Sequence, residues 1–147
     1  MRAVVTRVAH ASVTIDGEIR GQIGNGFLVL LGVGPHDTHE VAVKLAEKIC
    51  NLRVFEDENG KMNRSLEQVG GSLLVVSQFT LYADTSSRRP GFTGAAKPDV
   101  AIPLYEDFMA HCRSRGFEVQ SGEFGADMKV ESLNDGPVTI LFDTEVH

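Results

Sequence analysis

The chain has 147 residues, of which 42% are hydrophobic and 23% charged, and its formal net charge is −6. This length fits one domain with a substantial core, and no apolar run approaches the roughly 20 residues of a membrane helix. The net charge argues against a protein that coats nucleic acid by charge alone, because such binding needs clustered Lys and Arg.

The first third of the chain predicts β-structure. Residues 3–8 are mostly branched and apolar, residues 12–15 alternate, and Asp16-Gly17 supplies a tight hairpin turn before a returning strand at 18–20. Residues 26–34 form a continuous apolar run between glycines, which indicates a strand buried on both faces. The N-terminal residues show no signal-peptide pattern.

Helical periodicity appears twice. Apolar residues recur at helical spacing over residues 38–52, where Asp37 is the expected N-cap, and again over residues 99–115. Cys50 and Cys112 fall in these two helices and belong to no CxxC motif. We therefore expect buried free thiols and a reducing compartment.

The remaining segments complete one α+β domain over residues 1–147, dominated by antiparallel sheet. A turn is expected at 57–60 and a short helical turn at 63–68. Further strands are expected at 72–82, 128–133 and 138–142. The segment 84–97 reads as a long irregular loop, and loops of this length are often functional.

Two short motifs carry the functional hypothesis. Residues 77–81 read Ser-Gln-Phe-Thr-Leu and place hydroxyl and amide groups at the end of an apolar strand. Residues 134–140 contain Gly136-Pro137. Glycine has no side chain and proline has no amide hydrogen, so the backbone carbonyls are the main groups that could bind a ligand there. Both motifs also have structural interpretations, since polar residues often end strands and Gly-Pro often forms turns. A nucleophilic Ser77 or Thr80 would need a base, and none is visible.

The histidines predict no metal site. Residues 36–40 read His-Asp-Thr-His-Glu, which is not HExxH, and His10, His111 and His147 are isolated. The chain has no P-loop, GxGxxG or GxSxG motif. Two basic groups remain, Arg88-Arg89 with Lys97 and Arg113 with Arg115, and each is either a local basic patch or ordinary solvated surface.

Taken together, residues 77–81 and 134–139 resemble the two signature motifs of the D-aminoacyl-tRNA deacylase family. The similarity continues through residues 1–5, residues 55–63, and the loop Arg89–Phe92 with Ala95 and Ala96, so it covers nearly the whole chain. Asp135 is a mild departure within the second motif.

The resemblance implies a barrel-like homodimer that hydrolyses the ester between a D-amino acid and the 3′ end of tRNA. Gly136-Pro137 would carry a cis peptide, reach into the partner's active site and exclude L side chains. The resemblance also implies glycine on tRNA-Ala as a substrate, a role in cytoplasmic translation quality control, and no metal, cofactor, membrane or DNA.

The resemblance also assigns the site residues. Gln78 and the backbone amides near Phe79 would position the ester and contact the oxyanion, while Thr80 lines the pocket; a covalent Thr80 intermediate is the rival. The substrate-binding residues would be Ser77, Gly136, Pro137, Val138, Thr139, Ala95 and Ala96. The tRNA contacts would be Arg88, Arg89 and Lys97.

Two alternatives from other classes stay open. One is a catalytically silent dimer that binds acylated RNA ends or a protein through the same pocket. The other is a Ser or Thr esterase for small esters, which would form a trapped acyl-enzyme and would lose activity in Thr80→Ala or Ser77→Ala.

Overall fold

The computed structural model describes residues 1–146, and His147 lies outside the described residues. A six-stranded sheet and two helices form the domain, with a separate two-stranded sheet. The strands are β1 Arg2–Ile15, β2 Glu18–Ile23, β3 Gly26–Gly32, β4 Phe55–Glu56, β5 Met62–Arg64, β6 Ser72–Ser77, β7 Val119–Ser121 and β8 Lys129–Asp143. The helices are α1 His39–Cys50 and α2 Pro98–Ser114. No helix among the described residues has the length and apolar character to cross a membrane.

The sheet is mixed, which corrects the prediction of a mainly antiparallel one. Strand β1 pairs antiparallel with β2, β3 and β8, whereas β3 pairs parallel with β6 and β6 pairs parallel with β7. The parallel pairs arise because α1 and α2 carry the chain back between successive strands. The end of β2 approaches β7, where a Cβ on Gly21 would lie 2.9 Å from the Ser121 carbonyl oxygen, so the sheet nearly closes into a barrel.

Burial on both faces explains the continuous apolar runs of β3 and β6. Phe27 and Leu73 pack in the cluster that contains α1 and α2. Leu28 and Leu74 pack on the other face, in a second cluster within the curled sheet. The prediction that residues 26–34 are buried on both faces is therefore confirmed.

Several predicted boundaries were wrong. The predicted segments 3–8 and 12–15 belong to one strand, β1, and the predicted segments 128–133 and 138–142 lie largely in one strand, β8. These two strands pair with each other over most of their length, and the pairing continues past the register shifts in the middle. The strand predicted to reach residue 82 ends at Ser77. The predicted helical turn at 63–68 is replaced by β5 and a turn at 66–70, because residues 62–64 pair with β4. The short strand β7 was not predicted.

The N-terminus of α1 also differs from the prediction. The Thr38 hydroxyl caps the helix by accepting a hydrogen bond from the Val41 amide at 3.3 Å. The Asp37 carboxylate instead accepts from the Gly34 amide at 2.7 Å and from the N-terminal ammonium at 2.8 Å. Asp37 therefore fastens the turn that precedes the helix.

The two cysteines meet where α1 packs against α2. Both are buried free thiols, as predicted, and their Sγ atoms lie 3.7 Å apart. Outside this core, Glu47 of α1 joins the helices, because its carboxylate lies 2.7 Å from His111 Nε2 and 2.7 Å from Arg115 Nη1.

This polar link predicts an acid-sensitive contribution to stability. Hydrogen bonds, from His111 first and then from Arg115 and Asn51, lower the pKa of the Glu47 carboxyl from 4.5 to about 2. A carboxyl with a lowered folded-state pKa stabilises the fold above its unfolded-state pKa, and the effect disappears as the pH falls from about 4.5 to about 2.

Glu47→Gln should therefore lower the free energy of unfolding by about 1 kcal/mol at pH 6; the effect is this small because solvent screens these exposed pairs. At pH 2 the substitution should change the free energy of unfolding by almost nothing, because the stabilisation by the Glu47 carboxylate is largely lost by that pH. Urea unfolding of both proteins across this pH range measures the difference. A gap that does not change with pH would contradict the assignment.

Candidate active site

A tight turn follows β6 and carries the first motif; we call residues Gln78–Tyr82 the site turn. The Gln78 amide donates to the Leu31 carbonyl on β3 at 2.8 Å, and the Leu81 amide donates to the Gln78 carbonyl at 3.2 Å. The Gln78 side-chain Nε2 donates to Thr80 Oγ1 at 2.5 Å. These contacts hold the first motif as a compact helical turn at the end of a buried strand, and not as more strand.

Two pockets border the site turn. A cavity of about 230 Å³ is lined by Ser77, Gln78 and Phe79 together with Phe124, Met128 and Val130. A wider cavity of about 590 Å³ contains the predicted residues Ala95, Ala96 and Lys97, and both cavities share Phe79, Phe124 and Gly125.

An aromatic pair, Phe79 and Phe92, lines the wider pocket. Phe79 is 55% exposed, and its ring meets Phe92 edge-on with 5.2 Å between centroids. The segment Phe124–Met128, which precedes β8 and reaches the site, was not among the predicted site residues. The signal that would have identified it is an isolated Phe between glycines in an otherwise polar loop.

The described lining of the two pockets offers Thr80 no carboxylate or imidazole base. Among the described residues that line the two pockets there is no His, Asp or Glu. The side-chain partner of the Thr80 hydroxyl is the Gln78 amide. This chemistry suits a site that orients a reactive ester with hydrogen-bond donors better than a site with an activated nucleophile.

The second motif forms a projection on β8, which we call the Gly-Pro loop, residues 134–139. Val8 pairs with Asn134 and Thr6 with Thr139, so residues 135–138 stand opposite Arg7 alone. The Gly136-Pro137 peptide is cis, both residues are exposed, and Val138 is buried.

Asn134 closes the base of the Gly-Pro loop. Its side chain accepts a hydrogen bond from the Val138 amide at 2.9 Å and donates to Thr139 Oγ1 at 3.0 Å. The loop is therefore a braced projection of backbone, and not the connection between two strands that the turn interpretation required.

The two motifs do not meet within one chain. Strands β1 and β3 lie between β8, which carries the Gly-Pro loop, and β6, which precedes the site turn. Residues 134–139 line neither of the two pockets. The structure therefore brings the first motif to the pockets and leaves the second motif away from them.

The two basic groups differ in their surroundings. Asp84 and Gly91 exchange backbone hydrogen bonds of 2.8 and 3.0 Å, which places Arg88 and Arg89 at the exposed tip of a small hairpin. In contrast, Arg113 donates to the Val119 carbonyl at 3.1 Å and Arg115 pairs with Glu47. Arg113 and Arg115 therefore form contacts within the domain.

Arg7 links the Gly-Pro loop to the domain and supports a stability prediction. Its side chain is 6% exposed. Nε donates to the Asp135 carbonyl at 2.8 Å, and Nη1 donates to the Val54 carbonyl at 2.7 Å. Arg7→Met should lower the free energy of unfolding by about 3 kcal/mol, because a buried carbonyl loses its partner.

Urea unfolding tests the Arg7 prediction. Arg20→Met is the control, because Arg20 is 46% exposed and lies 3.9 Å from Glu123; we expect less than about 0.5 kcal/mol there. Equal losses in both variants would contradict a bracing role for Arg7.

Known proteins resemble this chain over almost its whole length. A family model described as D-Tyr-tRNA(Tyr) deacylase matches residues 4–143. A D-aminoacyl-tRNA deacylase of Shewanella amazonensis is 61% identical over 140 residues, which cover 95% of this chain and 97% of that protein. One from Thermus aquaticus is 59% identical over 145 residues, which cover 98% and 95%.

Two solved structures share the fold. The c-Myc DNA unwinding element binding protein has a TM-score of 0.92 and 41% identity, over 98% of this chain and 99% of that one. A probable eukaryotic D-amino acid tRNA deacylase has a TM-score of 0.83 and 19% identity, over 96% and 97%. The mixed, nearly closed sheet with two helices is thus an architecture found in both.

Proposed function

Because the chain belongs to the D-Tyr-tRNA(Tyr) deacylase family, we propose that it hydrolyses the ester between a D-amino acid and the 3′ end of tRNA. The observation that carries this proposal is the site turn. It places Gln78 and the first amides of a helical turn beside pockets whose described lining residues include no His, Asp or Glu. This arrangement fits an ester that is already reactive and needs only orientation.

The site turn supplies hydrogen-bond donors to the developing oxyanion. The first amides of a helical turn have no partner within the turn, so the Phe79 and Thr80 amides are available at its N-terminal end. Gln78 adds a side-chain amide beside them. Thr80 was expected to line the pocket, but it is not a lining residue of either cavity, and its hydroxyl instead accepts a hydrogen bond from the Gln78 side chain. A ribose hydroxyl of the substrate activates the attacking water.

A second copy of the chain completes the site. Strand β8 spans 15 residues at the edge of the sheet, with residues 129–137 exposed. Leu133 is 53% and Leu141 76% exposed along it. A long exposed edge with apolar side chains needs cover, and a homodimer provides it. Light scattering tests this state, and a strictly monomeric active protein would overturn it.

The partner's Gly-Pro loop then selects chirality by exclusion. Its exposed carbonyls meet the α-amino group of the substrate, so an L side chain would collide with the backbone wall. Exclusion discriminates more sharply than small differences in apolar contact. Glycine has no side chain that could collide with the Gly-Pro loop, so glycyl-tRNA is also a substrate. In this proposal the enzyme removes wrongly attached amino acids from tRNA in the cytoplasm.

The basic residues near the pockets suit a single-stranded RNA end. Arg88 and Arg89 at the hairpin tip and Lys97 at the wider pocket would contact the terminal phosphates. With about three such contacts, log K should fall with log salt at a slope of roughly −2. The net charge of −6 supports this small footprint over a long contact with duplex DNA.

The decisive experiment compares the rates of ester loss from D-tyrosyl-tRNA and L-tyrosyl-tRNA with chelator present. Fast loss of the D ester alone is expected. If neither ester is lost while acylated tRNA still binds, the silent binding dimer becomes the better hypothesis. Rapid turnover of small esters without RNA would favour the esterase.

A further inference from the structure

The site turn packs against a cross-strand pair that lines neither pocket. Arg2 of β1 stands opposite Gly32 of β3, and both contact residues 78–82. We propose that Arg2 and Gly32 are positioning residues for ester hydrolysis, which set where the donors at Gln78 and Phe79 stand. This inference rests on the proposed function.

Arg2 holds the end of the site turn. Its Nη1 donates to the Leu81 carbonyl at 2.8 Å, and its guanidinium lies 4.5 Å from the centroid of the Tyr82 ring. Its Nε donates to Asp143 Oδ2 at 3.1 Å, which orients the planar group. Lysine cannot reproduce these contacts together, because it has one compact ammonium in place of a fork of donors.

Gly32 forms the surface on which the turn rests. A Cβ at this position would lie 3.0 Å from the Gln78 carbonyl oxygen, 3.2 Å from Leu81 Cβ and 3.3 Å from the Tyr82 ring. The first two of these atoms belong to backbone or to the start of a side chain, so a rotamer change cannot remove them. An added methyl group must move the turn itself by a few tenths of an ångström.

Such a displacement would act on the chemical step. Donors to an oxyanion work through alignment, and a misplacement of about 1 Å costs roughly 10²-fold in rate. Arg2 and Gly32 line neither of the two pockets proposed to bind the substrate. Changes at Arg2 or Gly32 should therefore lower kcat and leave KM nearly unchanged.

The test measures kcat and KM for D-tyrosyl-tRNA in Arg2→Met, Arg2→Lys and Gly32→Ala, with thermal unfolding of each protein. We expect kcat to fall about tenfold in Gly32→Ala and 10- to 100-fold in Arg2→Met, with Arg2→Lys between Arg2→Met and wild type. KM should stay within about twofold, and the effects should persist well below each variant's Tm.

Matched controls separate positioning from general destabilisation. Gly24→Ala introduces a methyl group with no atom of the described residues within 4 Å, and Arg64→Met removes an arginine that is 42% exposed and paired with Glu58. Both should retain wild-type kcat. Wild-type kcat in folded Gly32→Ala and Arg2→Met would overturn the inference, as would losses that track Tm or appear in KM. A wild-type protein that does not hydrolyse D-tyrosyl-tRNA would instead overturn the proposed function.

Discussion

Replacing Gly136 by alanine is expected to lower kcat/KM for D-tyrosyl-tRNA by about 10²-fold and to reduce the ratio of D to L hydrolysis. Gly136 has φ +143°, a conformation that L side chains rarely adopt. Its Cβ would lie 2.8 Å from Val138 Cγ2, 2.9 Å from the Val138 amide nitrogen and 3.1 Å from Arg7 Nη2. The loop must therefore change shape, and in the proposed mechanism it is the chiral wall.

Gly60→Ala is the matched control for this variant. Gly60 also has a positive φ, of +75°, but within residues 1–146 a Cβ there would meet no atom closer than 4 Å. Its stability should fall slightly while both rates remain at wild-type values. Initial rates on paired D- and L-tyrosyl-tRNA measure the ratio directly, and an unchanged ratio in Gly136→Ala would refute the backbone-wall mechanism.

Gln78→Ala should lower kcat by about 10²- to 10³-fold, the usual effect of removing one oxyanion donor. Thr80→Ala should stay within about tenfold of wild type, because the Thr80 hydroxyl has no base among the described residues of the pockets. The two residues are joined by one hydrogen bond, so their unequal effects would separate positioning from nucleophilic attack.

Single-turnover experiments with an acid quench measure the rate of ester hydrolysis by both variants. Mass spectrometry of the quenched protein detects any acyl-enzyme. We expect no acyl adduct in wild type. If Thr80→Ala loses nearly all activity and wild type carries an acyl group, Thr80 is the nucleophile. Ser77→Ala serves as the neighbouring control, since the covalent esterase hypothesis predicts a loss there as well.

Elements defined by local patterns were predicted well. The helix expected at 38–52 forms at His39–Cys50, and the helix expected at 99–115 forms at Pro98–Ser114. Helical periodicity depends on neighbours three and four residues away, so the sequence contains the whole signal. The hairpin turn at Asp16-Gly17 has the same origin, with both residues at positive φ.

The sequence could not decide which strands pair, or in which direction. Parallel pairing of β3 with β6 depends on α1 and the chain after it crossing the sheet, which is a long-range property. The arrival of Phe124 beside Phe79 depends on the same closure. Residues far apart in sequence become neighbours only when the whole core packs, and local propensities do not predict such long-range contacts.

Local sequence patterns were enough to predict the two helices, the free thiols and, through the two motifs, the family resemblance. Tertiary structure decided that the site turn and the Gly-Pro loop stand apart, separated by β1 and β3. It also placed Arg2 and Gly32 against the site turn. The physical reason is that a motif records which groups are present, whereas the distance between groups is set by strand order and packing.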